Sequence, residues 1–130
     1  MATKGSAADY MATVTEIVGR LPEWERVDIE AWDNEPTFRV RNKNFVFASK
    51  NAQYLSFKLS KEEAEAVVNS DENVDYMGYG LGRHGWVSLS IRRKPSKARW
   101  AEIEEWIRTS YTNVAPKTLA KQVLEADGLL

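Results

Sequence analysis

The chain has 130 residues, of which 43% are apolar and 28% charged, a composition typical of one globular domain. The absence of cysteine excludes disulfides, thiolate zinc sites and a cysteine nucleophile. No apolar run approaches the ~20 residues that cross a bilayer, and no apolar signal-peptide stretch follows Met1. We therefore expect a single cytoplasmic domain over residues 1–130, away from membranes, with residues 1–5 disordered.

The first half of the chain predicts a helix followed by four strands. Apolar residues at helical spacing predict a helix from Ser6 to Gly19. Alternating residues predict strands over 27–32, 37–41, 45–49 and 53–59. The first strand would turn Val27, Ile29 and Ala31 inward, and the last would turn Tyr54, Ser56 and Lys58 outward.

The turn between the first two strands sets a predicted register. A four-residue turn over 33–36 would place Glu30 opposite Arg39 and Asp28 opposite Arg41. Cross-strand ion pairs would then explain the acids of this region better than a metal site would.

The second half predicts three helices and one strand. Ser60 and Glu63 form a capping box that opens a helix to about Asn69. A strand over 86–92 follows, then a helix over 96–112, and a last helix begins at Pro116. This order predicts an α+β fold, a mostly antiparallel five-stranded sheet with helices packed on one face.

The glycines of residues 80–85 resemble a phosphate-binding loop. Such a loop precedes a helix, whereas Gly80, Gly82 and Gly85 precede a strand, so a turn is favoured and a single-phosphate nest stays open. His84 is the only histidine, and no serine lies in a nucleophile elbow. We expect no catalytic residue, no metal site and no cofactor, and hence a protein that is not an enzyme.

Positive charge is segregated along the chain. Residues 36–61 and 83–101 each carry six bases and no acid, whereas residues 23–35 carry six acids and one base. Such segregation favours an electrostatic partner, unless the acidic and basic segments neutralise each other in one sheet. The candidate nucleic-acid contacts, which combine phosphate-neutralising bases with one stacking aromatic, are Arg39, Arg41, Lys43, Lys58, Arg83, Trp86, Arg92, Arg93 and Lys94.

Several segments in order resemble the MmcQ/YjbR family. They are residues 36–47 (PTFRVRNKNFVF), residues 55–59 (LSFKL), Gly85-Trp86-Val87, Ser110-Tyr111 and Pro116-Lys117. The resemblance implies a CyaY-like (frataxin-like) fold, described as a double wing of hairpins and commonly labelled DNA-binding. It implies no agreed catalytic residue. The frataxin-like fold also implies that the acids at 23–35 could be ligands of an iron ion.

Two functions follow from these observations. The first is a monomeric or weakly dimeric domain that binds DNA through its basic hairpins and the Trp86 and Tyr54 sheet face. The alternative is a non-enzymatic domain for a small ligand or a protein partner, in which the same face and the glycine loop line a pocket.

Overall fold

A computed structural model describes residues 8–128. Four α-helices and six strands follow one another in this order: α1 (Met11–Val18), β1 (Trp24–Ile29), β2 (Glu35–Val40), β3 (Lys43–Ala48), β4 (Tyr54–Lys58), α2 (Lys61–Ser70), β5 (Val74–Tyr76), β6 (Trp86–Ser90), α3 (Lys97–Val114) and α4 (Lys117–Ala126). Short 3-10 helices lie at Glu30–Trp32 and Gly82–His84. The predicted disorder of residues 1–5 and the start of the first predicted helix lie outside the described residues. No helix within residues 8–128 is long and apolar enough to cross a membrane.

The sheet is fully antiparallel, with strand order β1-β2-β3-β4-β6-β5. The α+β prediction is confirmed, but the sheet has six strands where five were predicted. The additional strand, β5, is only three residues long and pairs with β6. A segment this short contains too few alternating residues to show a strand pattern.

The helices cover one face of the sheet. The covered face carries Phe38, Val46, Leu55, Phe57 and Leu89, all fully buried. Helix α3 packs on β3 and β4, α1 packs beside α3, and α4 packs on α3. We call the opposite face of the sheet the open face. Side chains of the strands and of the loops between them pack there.

Three polar side chains near the end of α3 join that helix to the rest of the core. The Ser110 hydroxyl, fully buried, donates to the Phe45 carbonyl oxygen at 2.6 Å and accepts from the Lys58 amide at 2.7 Å. Asn113 donates to the Lys58 carbonyl at 3.0 Å. The Tyr111 hydroxyl donates to the Pro22 carbonyl at 2.6 Å, and burial raises the pKa of Tyr111 to about 12. Ser110 and Tyr111 are therefore structural residues.

The predicted register of β1 is wrong. Asp28 lies opposite Pro36 and Glu25 lies opposite Arg39, because β1 ends at Ile29 and the chain turns through the 3-10 helix. Asp33 and Asn34 close this turn with positive φ values of 56° and 60°, so β2 begins at Glu35.

This register also reverses the faces predicted for β1. Val27 and Ile29 pair with Thr37 and Glu35 and so lie on the open face. Trp24 lies on the covered face, where its ring is 6.2 Å from that of Phe38. The apolar alternation of β1 thus marks the open face and not the helix-covered core.

Gly85 joins the glycine segment to β6. Its φ is +93°, a left-handed value that glycine adopts without strain, and its carbonyl accepts from the Leu59 amide at 2.9 Å. A Cβ at this position would overlap the Leu59 carbonyl oxygen. The glycine is therefore required by the close approach of the ends of β4 and β6.

Candidate functional site

The open face carries a groove of about 820 Å³. Strands β2, β3 and β4 form its base, the turn before β2 forms one rim, and the loop between β5 and β6 forms another. The lining residues are mostly apolar or aromatic: Trp32, Asp33, Glu35, Pro36, Thr37, Phe47, Ala48, Ser49, Tyr54, Ser56, Met77, Tyr79 and Leu81. This volume lies within the ~300–1,000 Å³ range of small-molecule sites.

Aromatic rings run across the open face. The ring of Phe47 lies 6.0 Å from that of Trp32 and 5.1 Å from that of Trp86. Trp32 is 52% exposed, Tyr54 is 61% exposed, and Tyr79 is fully exposed. These three side chains line one groove and so form a clustered aromatic surface that is open to solvent, the kind of patch that marks interaction sites.

Trp86 supports this surface from beneath. The sequence predicts an outward Trp86 available for stacking, and its side chain does point to the open face opposite Lys58. It is only 8% exposed, because it packs edge-on against Phe47 across the small Ser56–Ser88 pair. Trp86 is thus a packing residue, and Trp32, Tyr54 and Tyr79 are the accessible rings.

The hydroxyl groups at the base of the groove bond to the protein itself. Thr37 donates to the Val27 carbonyl at 2.7 Å, and the Ser56 and Ser88 hydroxyls bond to each other at 2.7 Å. The Ser49 hydroxyl accepts from the Tyr54 amide at 3.1 Å. The groove therefore offers mainly apolar and π surface, and recognition of a polar group falls to its charged rim.

The charged rim of the groove is acidic. Among residues 8–128, Asp33 and Glu35 are the charged residues that line it. Asp33 is paired with Lys50 at 3.3 Å, whereas Glu35, which is exposed, has no ion pair among residues 8–128.

The structure divides the predicted basic residues between two ends of the sheet. The first end carries Arg41 and Lys43, at the turn from β2 to β3. It also carries Lys58, which ends β4 opposite Trp86 at the start of β6. Arg92, Arg93 and Lys94 follow the other end of β6, near Gln53. The nine predicted contacts therefore do not form one continuous patch.

Two of the four bases at the first end are engaged within the protein. Glu23 forms a bidentate ion pair with Arg41, with distances of 2.6 and 3.0 Å, and its hydrogen bonds from Arg41 lower the pKa of Glu23 below its usual value. Arg39 is half-buried, lies opposite Glu25, and its Nε is 3.4 Å from the Thr37 hydroxyl. Lys43 is exposed, and Lys58 is half-buried opposite Trp86.

The bases at the second end lie free in solvent. Arg92, Arg93 and Lys94 are exposed and form no ion pair within the described part of the chain. These three consecutive exposed bases therefore give the segment a positive charge that no acid of the described residues pairs.

The glycine segment forms a turn at the edge of the groove. Residues Gly82–His84 make one 3-10 turn, and Arg83 donates from Nε to the Gly80 carbonyl at 3.2 Å. His84 is exposed. Within residues 8–128 no three histidine or acidic side chains converge as metal ligands. Asp28, one of the acids at 23–35, pairs with Arg26 at 2.8 Å, and Glu23 and Asp33 pair as described above.

The sequence predicts Tyr54, Trp86 and the glycine loop as pocket residues. Tyr54 and Leu81 of that loop line the groove and Trp86 does not, while Trp32, Phe47 and Met77 line it without having been predicted. Phe47 carried a usable signal, since an aromatic at a position that alternates with Val46 and Ala48 must lie on the open face. Trp32 carried no such signal, because it belongs to a 3-10 helix at a place where the sequence pattern predicts a strand.

Sequence comparison assigns the chain to a family. The YjbR family model matches residues 20–113, which include the sheet, α2 and most of α3. This chain belongs to the YjbR family. The predicted MmcQ/YjbR resemblance is thereby confirmed. No curated protein matches the sequence.

Solved structures support the same fold. The YjbR domain is similar to the crystal structure of the Deinococcus radiodurans protein DR2400, which is described as a DUF419 domain. The TM-score is 0.68 at 19% sequence identity, over 92% of this chain and 88% of that chain. At this identity the likeness establishes the fold and carries no information about the ligand.

Proposed function

We propose that this YjbR domain is a non-enzymatic binding domain that takes a small organic ligand in the groove of its open face. The observation that carries the proposal is the groove itself, which has an aromatic lining and a volume suited to a metabolite-sized molecule. A planar ligand gains from stacking on Trp32, Tyr54 and Tyr79, whose rings are already exposed.

Tyr54 and Tyr76 provide a matched test of this proposal. Tyr54 lines the groove and is 61% exposed, whereas Tyr76 is 49% exposed but pairs with Val87 on the covered face, at the sheet edge. We expect Tyr54→Ala to weaken binding of the best compound from a panel containing indole, adenine and quinoline by roughly twofold to tenfold, as loss of one aromatic contact implies. Ligand-observed NMR titration measures the affinity.

Tyr76→Ala is expected to leave the same affinity unchanged. The proposal fails if no small organic compound binds in the groove, or if both tyrosine variants weaken binding equally. Thermal unfolding of each variant checks that the two substitutions leave the fold intact.

The second candidate function is nucleic-acid binding, and the basic segment Arg92–Lys94 favours it. Its three exposed bases are free of ion pairs within residues 8–128 and are positioned to neutralise phosphates. Fluorescence anisotropy with a labelled duplex and a labelled single strand at ~50 mM salt tests this function. On the duplex, the logarithm of the affinity should fall with the logarithm of the salt concentration, with a slope of about 0.9 per neutralised phosphate.

Lys94 and Lys43 are the matched pair for this experiment, because both are exposed lysines at opposite ends of the sheet. Lys94→Ala should weaken binding and reduce the salt slope by about one contact, while Lys43→Ala should not. Absence of binding at low salt would exclude this function, since electrostatic contacts are strongest there.

A further inference from the structure

The groove differs from an ordinary apolar pocket in the sign of its charge. Its two charged lining residues are both acids, and its accessible side chains are the π faces of Trp32, Tyr54 and Tyr79. The hydroxyls of its base are already bonded to protein partners. A ligand therefore meets aromatic rings and carboxylates.

Glu35 is the acid whose charge is not compensated. Lys50 pairs with Asp33 at 3.3 Å, but no base pairs with Glu35 among residues 8–128. Arg39, the base nearest to Glu35 along the same face of β2, lies beyond Thr37 and does not line the groove. The field at the rim therefore favours positive charge over negative charge.

Aromatic faces attract cations through the ring quadrupole, and a carboxylate nearby adds to that attraction. Methylated ammonium groups suit such surfaces, because their methyl groups gain apolar contact while the charge is spread over a large volume. Anionic planar molecules, such as nucleotides, would meet the uncompensated Glu35 carboxylate at the rim and be repelled.

We propose that the groove of the open face recognises a small organic cation of the quaternary or methylated ammonium class, with Trp32, Tyr54 and Tyr79 as the aromatic contacts and Glu35 as the counter-charge. This assignment rests on the proposed ligand-binding function and specifies the chemistry of its ligand.

Choline chloride is compared with dimethylbutanol, its neutral isostere, in which carbon replaces the quaternary nitrogen. The comparison separates the effect of the ligand's charge on binding from the effect of its shape. We expect choline to shift the indole and amide resonances of the groove in proton–nitrogen correlation spectra, with the ionic strength matched by sodium chloride. Its affinity should exceed that of dimethylbutanol by roughly threefold or more, the effect expected of an exposed cation–π contact.

Glu35→Gln should weaken choline binding while leaving dimethylbutanol unaffected. Glu25→Gln is the matched control, since Glu25 is an exposed acid on the open face of β1 that does not line the groove. It should leave both affinities unchanged.

Equal affinities for choline and dimethylbutanol in the wild-type groove would overturn the cation assignment while leaving the ligand-binding function standing. The same holds if only neutral planar compounds shift the groove resonances. If neither the cations nor the planar compounds shift them, both proposals fail.

Discussion

Gly85 has the least room for a side chain among the glycines of residues 8–128. Its φ of +93° is unfavourable for any side chain, and the Leu59 carbonyl occupies the space that a Cβ would need. The Leu59 amide bonds to the Gly85 carbonyl at 2.9 Å, so the two chain segments cannot separate without loss of that hydrogen bond.

Gly85→Ala is expected to lower the free energy of unfolding by more than ~2 kcal/mol, since left-handed strain of ~1–2 kcal/mol adds to a backbone overlap. Gly78→Ala is the control, because a Cβ at Gly78 meets nothing within 4 Å and its φ is not positive. Urea unfolding of the two variants measures the difference. Equal stabilities of the two variants would contradict this role of Gly85.

Tyr111 couples the stability of the protein to alkaline pH. Burial raises its pKa to about 12 from 10.0, so the folded state holds the phenolic proton more tightly than the unfolded state does. The stability that this provides is complete below pH 10 and is lost as the pH rises towards 12.

Tyr111→Phe removes this titration together with the hydrogen bond to the Pro22 carbonyl. We expect the free energy of unfolding of the variant to be about 1 kcal/mol lower than that of wild type at pH 7. This difference should narrow between pH 10 and 11.5. Urea unfolding at several pH values measures it. A difference that stays constant over this pH range would refute the coupling.

At the scale of the elements, one hydroxyl of α3 bonds to two strands of the sheet. Ser110 connects the Phe45 carbonyl of β3 with the Lys58 amide of β4. Phe45 lies at the β-bulge where the β2–β3 register shifts between Phe38 and Arg39. The hydroxyl thus satisfies strand groups at the point where the sheet pairing is irregular.

Ser110→Ala should lower the free energy of unfolding by about 2–4 kcal/mol, because it leaves a buried amide and a buried carbonyl without this partner. Ser70→Ala is the control, since its hydroxyl is exposed and bonds only within α2. Its expected effect is within ~0.5 kcal/mol. Chemical unfolding compares the two, and similar small losses for both would show that the strands re-pair without Ser110.

The sequence predicted the elements that have long, regular patterns. The alternation in β4 and β6 placed Tyr54, Ser56 and Trp86 on the correct face, and the capping box at Ser60 and Glu63 opens α2 as expected. It missed β5, which is too short for a pattern, and it misplaced β1, because the 3-10 turn after Ile29 has no distinctive residue signature.

At the scale of the whole molecule, the groove of the open face is created by strand order. Trp32, Phe47, Tyr54 and Tyr79 come from four separate segments, and only the antiparallel register unites them on the open face. Pattern reasoning on one strand at a time therefore identified Tyr54 but not the groove. The same register separates Arg41 from Arg92, two bases that the sequence assigned to one surface.

The charge distribution follows from that topology. Acids at Asp33 and Glu35 lie on the groove rim, Glu23 neutralises Arg41, and the uncompensated bases of Arg92–Lys94 lie beyond the far end of β6. The molecule thus separates an acidic, aromatic groove from a basic segment. This separation makes the ligand-binding and nucleic-acid hypotheses experimentally distinguishable, because they concern different surfaces.

Mapping of amide chemical shifts on the full chain, titrated with the tightest-binding compound of the planar and cationic panels, shows whether the groove of the open face is the ligand site. Binding in the groove should concentrate the shifts at Trp32, Thr37, Phe47, Tyr54 and Met77, with α4 and the outer side of α3 unchanged. Shifts centred on Arg92–Lys94, or on the α3–α4 surface with the open face unchanged, would contradict it.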